Sequence, residues 1–235
     1  MSRRFVITAT DTNVGKTIFS AALVQALGAS YWKPVQAGLD EETDTEVVAR
    51  LTRHPRERGD PASSFSSGAE AKLDSRLRGN NKEGWIHSES YRLTLPASPH
   101  LAAEYDGIAI DPLTLDPPTT SGPLVIEGAG GALVPVTRDT LFADIFARWQ
   151  IPVIVCARTG LGTINHTLMT IEALRHRDIP IHGIAFIGDA MPDSEAIIPA
   201  LSGIRALGRL PRLDPLTSAA LATAFAVHFD LGDFA

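Results

Sequence analysis

Cysteine is nearly absent from this chain of 235 residues, which contains only Cys156. A single cysteine forms neither an intrachain disulfide nor a thiolate cage for a metal ion, so both kinds of cross-link are excluded. Because Cys156 stands in the apolar run from Ile151 to Ala157, we expect its side chain to be a buried packing group.

Long apolar runs are also missing. No stretch approaches the ~18 apolar residues that a membrane-spanning helix needs. The apolar run that follows Met1-Ser-Arg-Arg is too short for the core of a signal peptide. We therefore expect a cytoplasmic protein with no membrane partner.

An excess of positive charge is missing as well. The chain has 27 acidic residues against 21 lysines and arginines, which gives a net charge of -6 at pH 7. Proteins that bind nucleic acids usually carry a basic face that neutralises the phosphates. This charge balance argues against a nucleic-acid partner.

The most informative segment present is Phe5 to Thr17, FVITATDTNVGKT, in which an apolar run leads into a turn-forming stretch and then into the apolar-rich residues 18–27. This order predicts a strand, a phosphate-binding loop and a helix. Backbone N–H groups, a helix N-terminus, the Lys16 ammonium and the Thr17 hydroxyl together suit a nucleoside triphosphate with Mg²⁺. The segment is a candidate nucleotide site.

The spacing of this segment differs from the common pattern G-x-x-x-x-G-K-[ST]. That pattern requires a glycine where Thr10 stands, and the nearest small residue is Ala9. In the simplest alternative, the segment is an ordinary turn in which Lys16 is solvated and Thr17 caps the helix.

Three further side chains follow or end predicted strands. Glu127 ends the run Leu124 to Ile126 and is followed by glycines, Asp44 begins a predicted helix, and Lys33 lies within the run Tyr31 to Val35. Carboxylates at such places suit Mg²⁺, and a lysine suits a phosphate. The structural alternatives are a turn residue for Glu127, a helix cap for Asp44 and a solvent-reaching lysine for Lys33.

Apolar runs bounded by glycine and proline alternate with helical patterns along the chain, which predicts an α/β fold with a doubly wound, mostly parallel sheet flanked by helices. The predicted strands are 5–9, 31–35, 124–126, 153–157, 181–187 and 206–210. The predicted helices are 17–27, 44–51, 141–149, 164–177 and 216–227. Ligands bind at the carboxyl ends of the strands in such sheets.

Residues 1–235 are expected to form one domain, because a chain of this length and 44% hydrophobic content builds a single core. Residues 52–83 interrupt the pattern, with seven basic and five acidic residues and only three large apolar side chains. This composition predicts a disordered insertion without chemistry of its own.

Six motifs occur in order along the chain: ATDTNVGKT, YWKPVQAG, TDT, SPH, VIEGAGG and LGTINH. In order and spacing they resemble the dethiobiotin synthetase family of the biotin pathway. The resemblance covers nearly everything except the insertion. The phosphate loop of that family has one residue more than the usual loop, and Ala9 takes the place of its first glycine.

The resemblance implies an ATP-dependent cyclo-ligase that forms carbon–nitrogen bonds. The family makes a cyclic urea from 7,8-diaminopelargonic acid and CO₂, using ATP and Mg²⁺, through a carbamate that is phosphorylated and then closed by the second amine. The catalytic residues implied are Lys16, Lys33 and Thr12. The magnesium ligands implied are Thr17, Asp44 and Glu127.

The family pattern also implies which residues hold nucleotide and substrate. The implied nucleotide-binding residues are Asn13, Val14, Gly15, Lys16, Thr17, Ile187 and Pro211. Ile187 stands where the family often has an asparagine that reads adenine. The implied substrate-binding residues are Ala37, Gly130, Gly162, Thr163 and Asn165. Because the last three match a segment that grips the substrate's carboxylate from the other subunit, the resemblance implies a homodimer.

Three alternatives stay open at this point. An amidoligase of the cobyrinic acid type carries an additional glutamine-hydrolysing domain, for which this chain has no room. A partition-type ATPase switch usually has a second lysine early in its phosphate loop, and residues 9–14 contain none. A degenerate nucleotide-binding protein is the third alternative, since Ala9, Ala37 and Ile187 depart from the family pattern.

Overall fold

The computed structural model describes residues 3–52 and 85–234. Within these ranges the chain forms nine strands, seven α-helices and two short 3₁₀ helices. The strands are β1 (Arg4–Ala9), β2 (Ser30–Trp32), β3 (Val35–Ala37), β4 (Ile86–His87), β5 (Tyr91–Leu93), β6 (Leu124–Gly131), β7 (Val153–Arg158), β8 (Ile181–Ile187) and β9 (Ala206–Leu210). The helices are α1 (Lys16–Leu27), α2 (Asp44–Thr52), α3 (Pro99–Asp106), α4 (Phe142–Trp149), α5 (Thr163–Arg175), α6 (Pro192–Ser202) and α7 (Ser218–His228).

Seven strands form one sheet in the order β4-β2-β6-β1-β7-β8-β9. Every recorded pairing of these strands is parallel. A second sheet consists of β3 and β5, which are also parallel. The strand β1 lies between β6 and β7, so the loop that follows β1 lies at the middle of the carboxyl edge of the main sheet.

The core is divided between the two faces of this sheet. Along β1, Phe5 and Ile7 pack into one apolar cluster and Val6 into another, as the alternation of a strand requires. Helices α1, α2 and α7 cover the first face, whereas α3 to α6 cover the second. The predicted doubly wound α/β fold is therefore confirmed.

Two predicted strands differ from the observed ones near the candidate site. The run 31–35 is divided, because β2 ends at Trp32 and β3 begins at Val35 in the second sheet. Pro34 has no N–H to donate to a sheet and marks this division. The run 124–126 continues as β6 to Gly131, so Glu127 lies inside a strand rather than after it.

Several elements went unpredicted. The strands β4 and β5 have two and three residues, too few for a periodic pattern. The helix α6 contains Pro199, which weakened its helical pattern. The predicted insertion at 52–83 lies outside the described residues, except for Thr52, which ends α2.

No helix in the described ranges is long and apolar enough to cross a membrane.

Candidate active site

The phosphate loop lies between β1 and α1. Asn13 and Gly15 have φ angles of +57° and +107°, which places both in the left-handed region. A Cβ atom on Gly15 would lie 2.9 Å from Cγ2 of Ile187, so only glycine fits there. Ala9 is the last residue of β1 and its φ angle is not positive, so the backbone at this position does not need a glycine.

Lys16 is the first residue of α1 and is buried, with 7% of its surface exposed. Its Nζ donates a hydrogen bond to the carbonyl oxygen of Asp11 at 3.5 Å. Arg158, at the end of β7, forms an ion pair of 3.1 Å with the Asp11 carboxylate and so ties the loop to a neighbouring strand. The alternative of a solvated Lys16 is wrong.

Thr17, Asp44 and Glu127 come together beside the loop. The Thr17 Oγ1 lies 2.8 Å from Oδ1 of Asp44 and 2.7 Å from Oε1 of Glu127. The hydroxyl has one hydrogen, so it donates to one carboxylate at a time. Side-chain oxygens from α2 and β6 therefore meet at the Thr17 hydroxyl of α1, and the magnesium ligand set stays a prediction. Thr17 does not cap α1, whose N-cap position is occupied by Gly15.

Lys33 lies against the same carboxylates, on the chain between β2 and β3. It forms ion pairs with Oδ2 of Asp44 and, at 3.6 Å, with Oε1 of Glu127. It also donates a hydrogen bond of 3.4 Å to the carbonyl oxygen of Gly128. Only 2% of its surface is exposed, so the alternative of a solvent-reaching lysine is wrong.

The two lysines differ in their electrostatic environment. Burial lowers the pKa of Lys16, and the nearby Glu127 does not fully compensate. Burial also acts to lower the pKa of Lys33, but the carboxylates of Glu127 and Asp44 outweigh it, so the pKa is raised. Burial likewise acts to raise the pKa of Asp44, and Lys33 reverses the direction, so the net shift is downward. Lys33 and Asp44 therefore hold each other in their charged forms.

Asp44 is the first residue of α2, and its side chain is not the helix cap. Thr43 and Glu46 form a reciprocal cap: the N–H of Thr43 donates to Oε2 of Glu46 at 2.8 Å, and the N–H of Glu46 donates to Oγ1 of Thr43 at 3.3 Å. Oε1 of Gln36 accepts the N–H of Asp44 at 3.3 Å. The capping alternative for Asp44 is therefore wrong, and its carboxylate is available to the site.

Two residues of the site, Tyr31 and Gln36, went unpredicted. The hydroxyl of Tyr31 donates a hydrogen bond of 2.9 Å to Oε2 of Glu127. Burial and the neighbouring Glu127 raise the pKa of Tyr31 well above its usual value, so the hydroxyl keeps its proton. The contact of Tyr31 with Glu127 depends on the pairing of β2 with β6, which the sequence alone does not show.

A cleft of about 390 Å³ opens over these groups. Ala37 and Gly130, both predicted to bind substrate, line it together with residues of the loop and the acidic cluster. The full lining is Asn13, Gly15, Lys16, Thr17, Ile18, Lys33, Gln36, Ala37, Asp44, Ala97, Glu127, Ala129 and Gly130. Most of the predicted site thus borders a single space.

Other predicted residues do not line this cleft. Thr12 lines a second cleft of about 300 Å³, bounded also by His166 and Met169 of α5. Its hydroxyl is close to the first cleft too, since a Cβ on Gly130 would lie 3.6 Å from Oγ1 of Thr12. Pro211 follows directly after β9, and Val14 is buried in the core beneath the loop.

Gly162, Thr163 and Asn165 line neither cleft. Gly162 has a φ of +90° and precedes α5. Thr163 is buried, with its Oγ1 3.4 Å from that of Thr167. Asn165 is exposed and donates to the sulfur of Met169 at 3.4 Å. These three residues therefore lie close to one another at the start of α5, and they do not line the cleft that contains the two lysines and the two carboxylates.

A phosphate loop at the central strand of a parallel sheet, with acidic side chains beside it, defines a nucleotide-binding protein of the P-loop class. The model of the AAA domain family matches residues 3–79 and 61–220. A ParA family ATPase from Chlorobium tepidum TLS shares the fold, with a TM-score of 0.52 at 11% identity, over 97% of this chain and 93% of that chain.

Curated relatives narrow this class. The ATP-dependent dethiobiotin synthetase BioD of Sphingopyxis alaskensis is 58% identical over 231 residues, which cover 98% of each chain. That of Agrobacterium fabrum is 55% identical over 234 residues, covering 100% of this chain and 98% of the relative. The chain belongs to the ATP-dependent dethiobiotin synthetase family.

The predicted family and the predicted enzyme class, an ATP-dependent ligase that acts on small molecules, are thereby confirmed. The partition-type alternative is not supported, because the likeness to a ParA family ATPase at 11% identity shows the fold alone.

Proposed function

We propose that this chain is a cytoplasmic, homodimeric enzyme that makes dethiobiotin from 7,8-diaminopelargonic acid and CO₂, driven by ATP. The observation that carries the proposal is the convergence of two buried lysines, two carboxylates and one hydroxyl beside the phosphate loop. Lys33 adds a second buried cation beside the phosphate loop, where negative charge moves between oxygens during a phosphoryl transfer.

The phosphate loop supports the binding of ATP through residues 13–17. The left-handed residues Asn13 and Gly15 turn the backbone at the start of α1, where N–H groups remain free for an anion. Lys16 supplies a buried positive charge at the same place. We assign the base to the side of Gly15 that Ile187 contacts, with Pro211 directly after β9 as the second residue for it.

The oxygen cluster supports a magnesium site held by Thr17, Asp44 and Glu127. Two carboxylates and one hydroxyl are hard oxygen donors, which is the ligand chemistry that Mg²⁺ prefers. When bound, the ion supplies charge neutralisation to the phosphates of ATP. Tyr31 on Glu127 and Gln36 at the start of α2 support the ligands from behind.

One amine of the diamine first adds to CO₂ and loses a proton, which gives the carbamate. Two further steps follow beside the lysines. An oxygen of the substrate's carbamate attacks the γ-phosphorus of ATP, the bond to ADP breaks, and a carbamic-phosphoric anhydride forms. The second amine attacks the carbonyl carbon, the bond from this carbon to the phosphate oxygen breaks, and the phosphate leaves with the amine's proton as the urea ring closes. Lys16 and Lys33 stabilise the negative charge that moves between these oxygens, and the Thr12 hydroxyl orients the diamine.

The substrate lies across two subunits in this proposal. Ala37 and Gly130 line the cleft in which the carbamate reacts. Gly162, Thr163 and Asn165 of the second copy hold the distant carboxylate. Leu161 and Met169, which border that segment and are exposed, offer an apolar surface for the contact between copies.

The test is phosphate release from ATP measured with the diamine, bicarbonate and Mg²⁺, and with each omitted in turn. We expect release only when all are present, together with a product whose mass corresponds to the cyclic urea. ATP hydrolysis that is indifferent to the diamine, without a urea product, would contradict the proposal.

A further inference from the structure

Glu127 is the most deeply buried carboxylate of the site, with none of its surface exposed. Its two oxygens have different partners. Oε1 lies 2.7 Å from the Thr17 hydroxyl and 3.6 Å from Nζ of Lys33, so this oxygen faces the groups that line the cleft. Oε2 points away from these groups and accepts the hydroxyl of Tyr31 at 2.9 Å. The carboxylate is thus held from both sides.

Tyr31 reaches Glu127 because of the register between two strands. Tyr31 on β2 lies opposite Val125 on β6. Val125 and Glu127 are two residues apart, so their side chains lie on the same face of the sheet as that of Tyr31. Both Tyr31 and Glu127 are completely buried, which leaves water no access to replace the hydrogen bond between them.

The hydrogen bond restricts the orientation of the carboxylate. The terminal torsion of a glutamate is broad, so a single contact at one oxygen does not fix it. In the described part of the chain, Tyr31 is the donor recorded for Oε2. Without it a buried carboxylate oxygen has no partner, which is costly, and the group turns toward another donor.

We propose that Tyr31 is a positioning residue for Glu127: its hydroxyl holds Oε2 so that Oε1 stays directed at Thr17 and the cleft, and it thereby sets the affinity for the divalent cation. The inference rests on the proposed magnesium site. Partners behind a metal ligand typically change metal affinity 10- to 100-fold when they are removed.

The experiment measures Mn²⁺ binding by electron paramagnetic resonance in the presence of a non-hydrolysable ATP analogue. We expect Tyr31→Phe, which removes only the hydroxyl oxygen, to weaken Mn²⁺ binding roughly 10-fold. The matched control is Tyr91→Phe, which removes a hydroxyl that accepts the N–H of Asp111 at 3.0 Å and does not line the cleft. This control should bind Mn²⁺ like the unaltered protein.

A third variant separates the inference from the proposed function. Glu127→Gln should bind Mn²⁺ far more weakly, and adding Tyr31→Phe to it should cause no further loss, because the hydroxyl acts through the carboxylate. Normal Mn²⁺ binding by Glu127→Gln overturns the metal site itself. Weak binding by Glu127→Gln together with normal binding by Tyr31→Phe overturns the role of Tyr31 alone, as does an equal loss in Tyr91→Phe.

Discussion

At the scale of single residues, the two lysines of the site differ in how far their charges are neutralised. Lys33 forms ion pairs with Asp44 and Glu127, so Lys16 has the positive charge that is less neutralised. Replacing Lys16 with alanine should lower turnover by roughly 10³-fold, because a preorganised cation stabilises charge that develops in the transition state. Lys16→Met keeps most of the buried aliphatic stem and serves as the control for lost packing. The measurement is the turnover number of both variants in steady-state kinetics. Near-normal turnover in Lys16→Met would show that the positive charge of Lys16 is not needed.

Ile187 is a second residue whose chemistry leads to a prediction. It packs over Gly15, where its apolar side chain has no donor or acceptor for the edge of a base. Side chains that only pack discriminate far less than paired hydrogen bonds do, so CTP and GTP should also support turnover. The measurement is kcat/KM for the three nucleotides at saturating diamine. A preference for ATP above about 10³-fold would mean that other groups read the base.

At the scale of an element, the start of α2 determines where Asp44 lies. Thr43 is buried and forms a reciprocal cap with Glu46, so the cap lies in the same helical turn as the carboxylate of Asp44. Thr43→Ala should lower the free energy of unfolding by about 1 kcal/mol and should also weaken Mn²⁺ binding. Urea denaturation and the Mn²⁺ titration measure the two effects.

The control for this prediction is Thr217→Ala at the start of α7. There the Thr217 hydroxyl accepts the N–H of Ala220 at 3.2 Å, in a cap that does not border the cleft. This variant should lose similar stability while keeping its Mn²⁺ affinity. If both variants bind Mn²⁺ equally well, the cap of α2 contributes to the fold and not to the site.

At the scale of the whole molecule, we propose that a second copy of the chain completes the site. Asn165 does not line the cleft that Lys16 lines, and in this proposal the two residues serve one site from different subunits. Lys16→Ala and Asn165→Ala should each be weakly active alone. When the two are unfolded and refolded together, random assortment should restore about a quarter of the sites, since each mixed dimer contains one intact site.

The refolded mixture is compared with each variant refolded alone at the same total concentration. Activity equal to the sum of the two separate variants would mean that Asn165 serves its own subunit or none. Size-exclusion chromatography of each variant checks that both still form dimers, so that a missing gain is not due to lost association.

Much of the arrangement could be predicted because it depends on local patterns. The apolar runs predicted six of the seven strands of the main sheet, and the motif around Lys16 and Thr17 predicted the phosphate loop. Elements of two or three residues, such as β4 and β5, could not be predicted, because so few residues cannot show the alternation of apolar and polar side chains that marks a strand. The division at Pro34 was also missed, because a local pattern does not tell to which sheet a strand belongs.

The sequence by itself determined the alternation of strands and helices, the loop chemistry and the identity of the acidic candidates, because these depend on residue type and spacing along the chain. Only the tertiary structure decided that Asp44, Glu127 and Thr17 meet, that Lys33 is buried between the two carboxylates, and that Tyr31 supports one of them. These contacts join residues up to 110 positions apart, and the order and register of parallel strands bring them together. That register depends on how both faces of the sheet pack against the helices, which no local pattern contains.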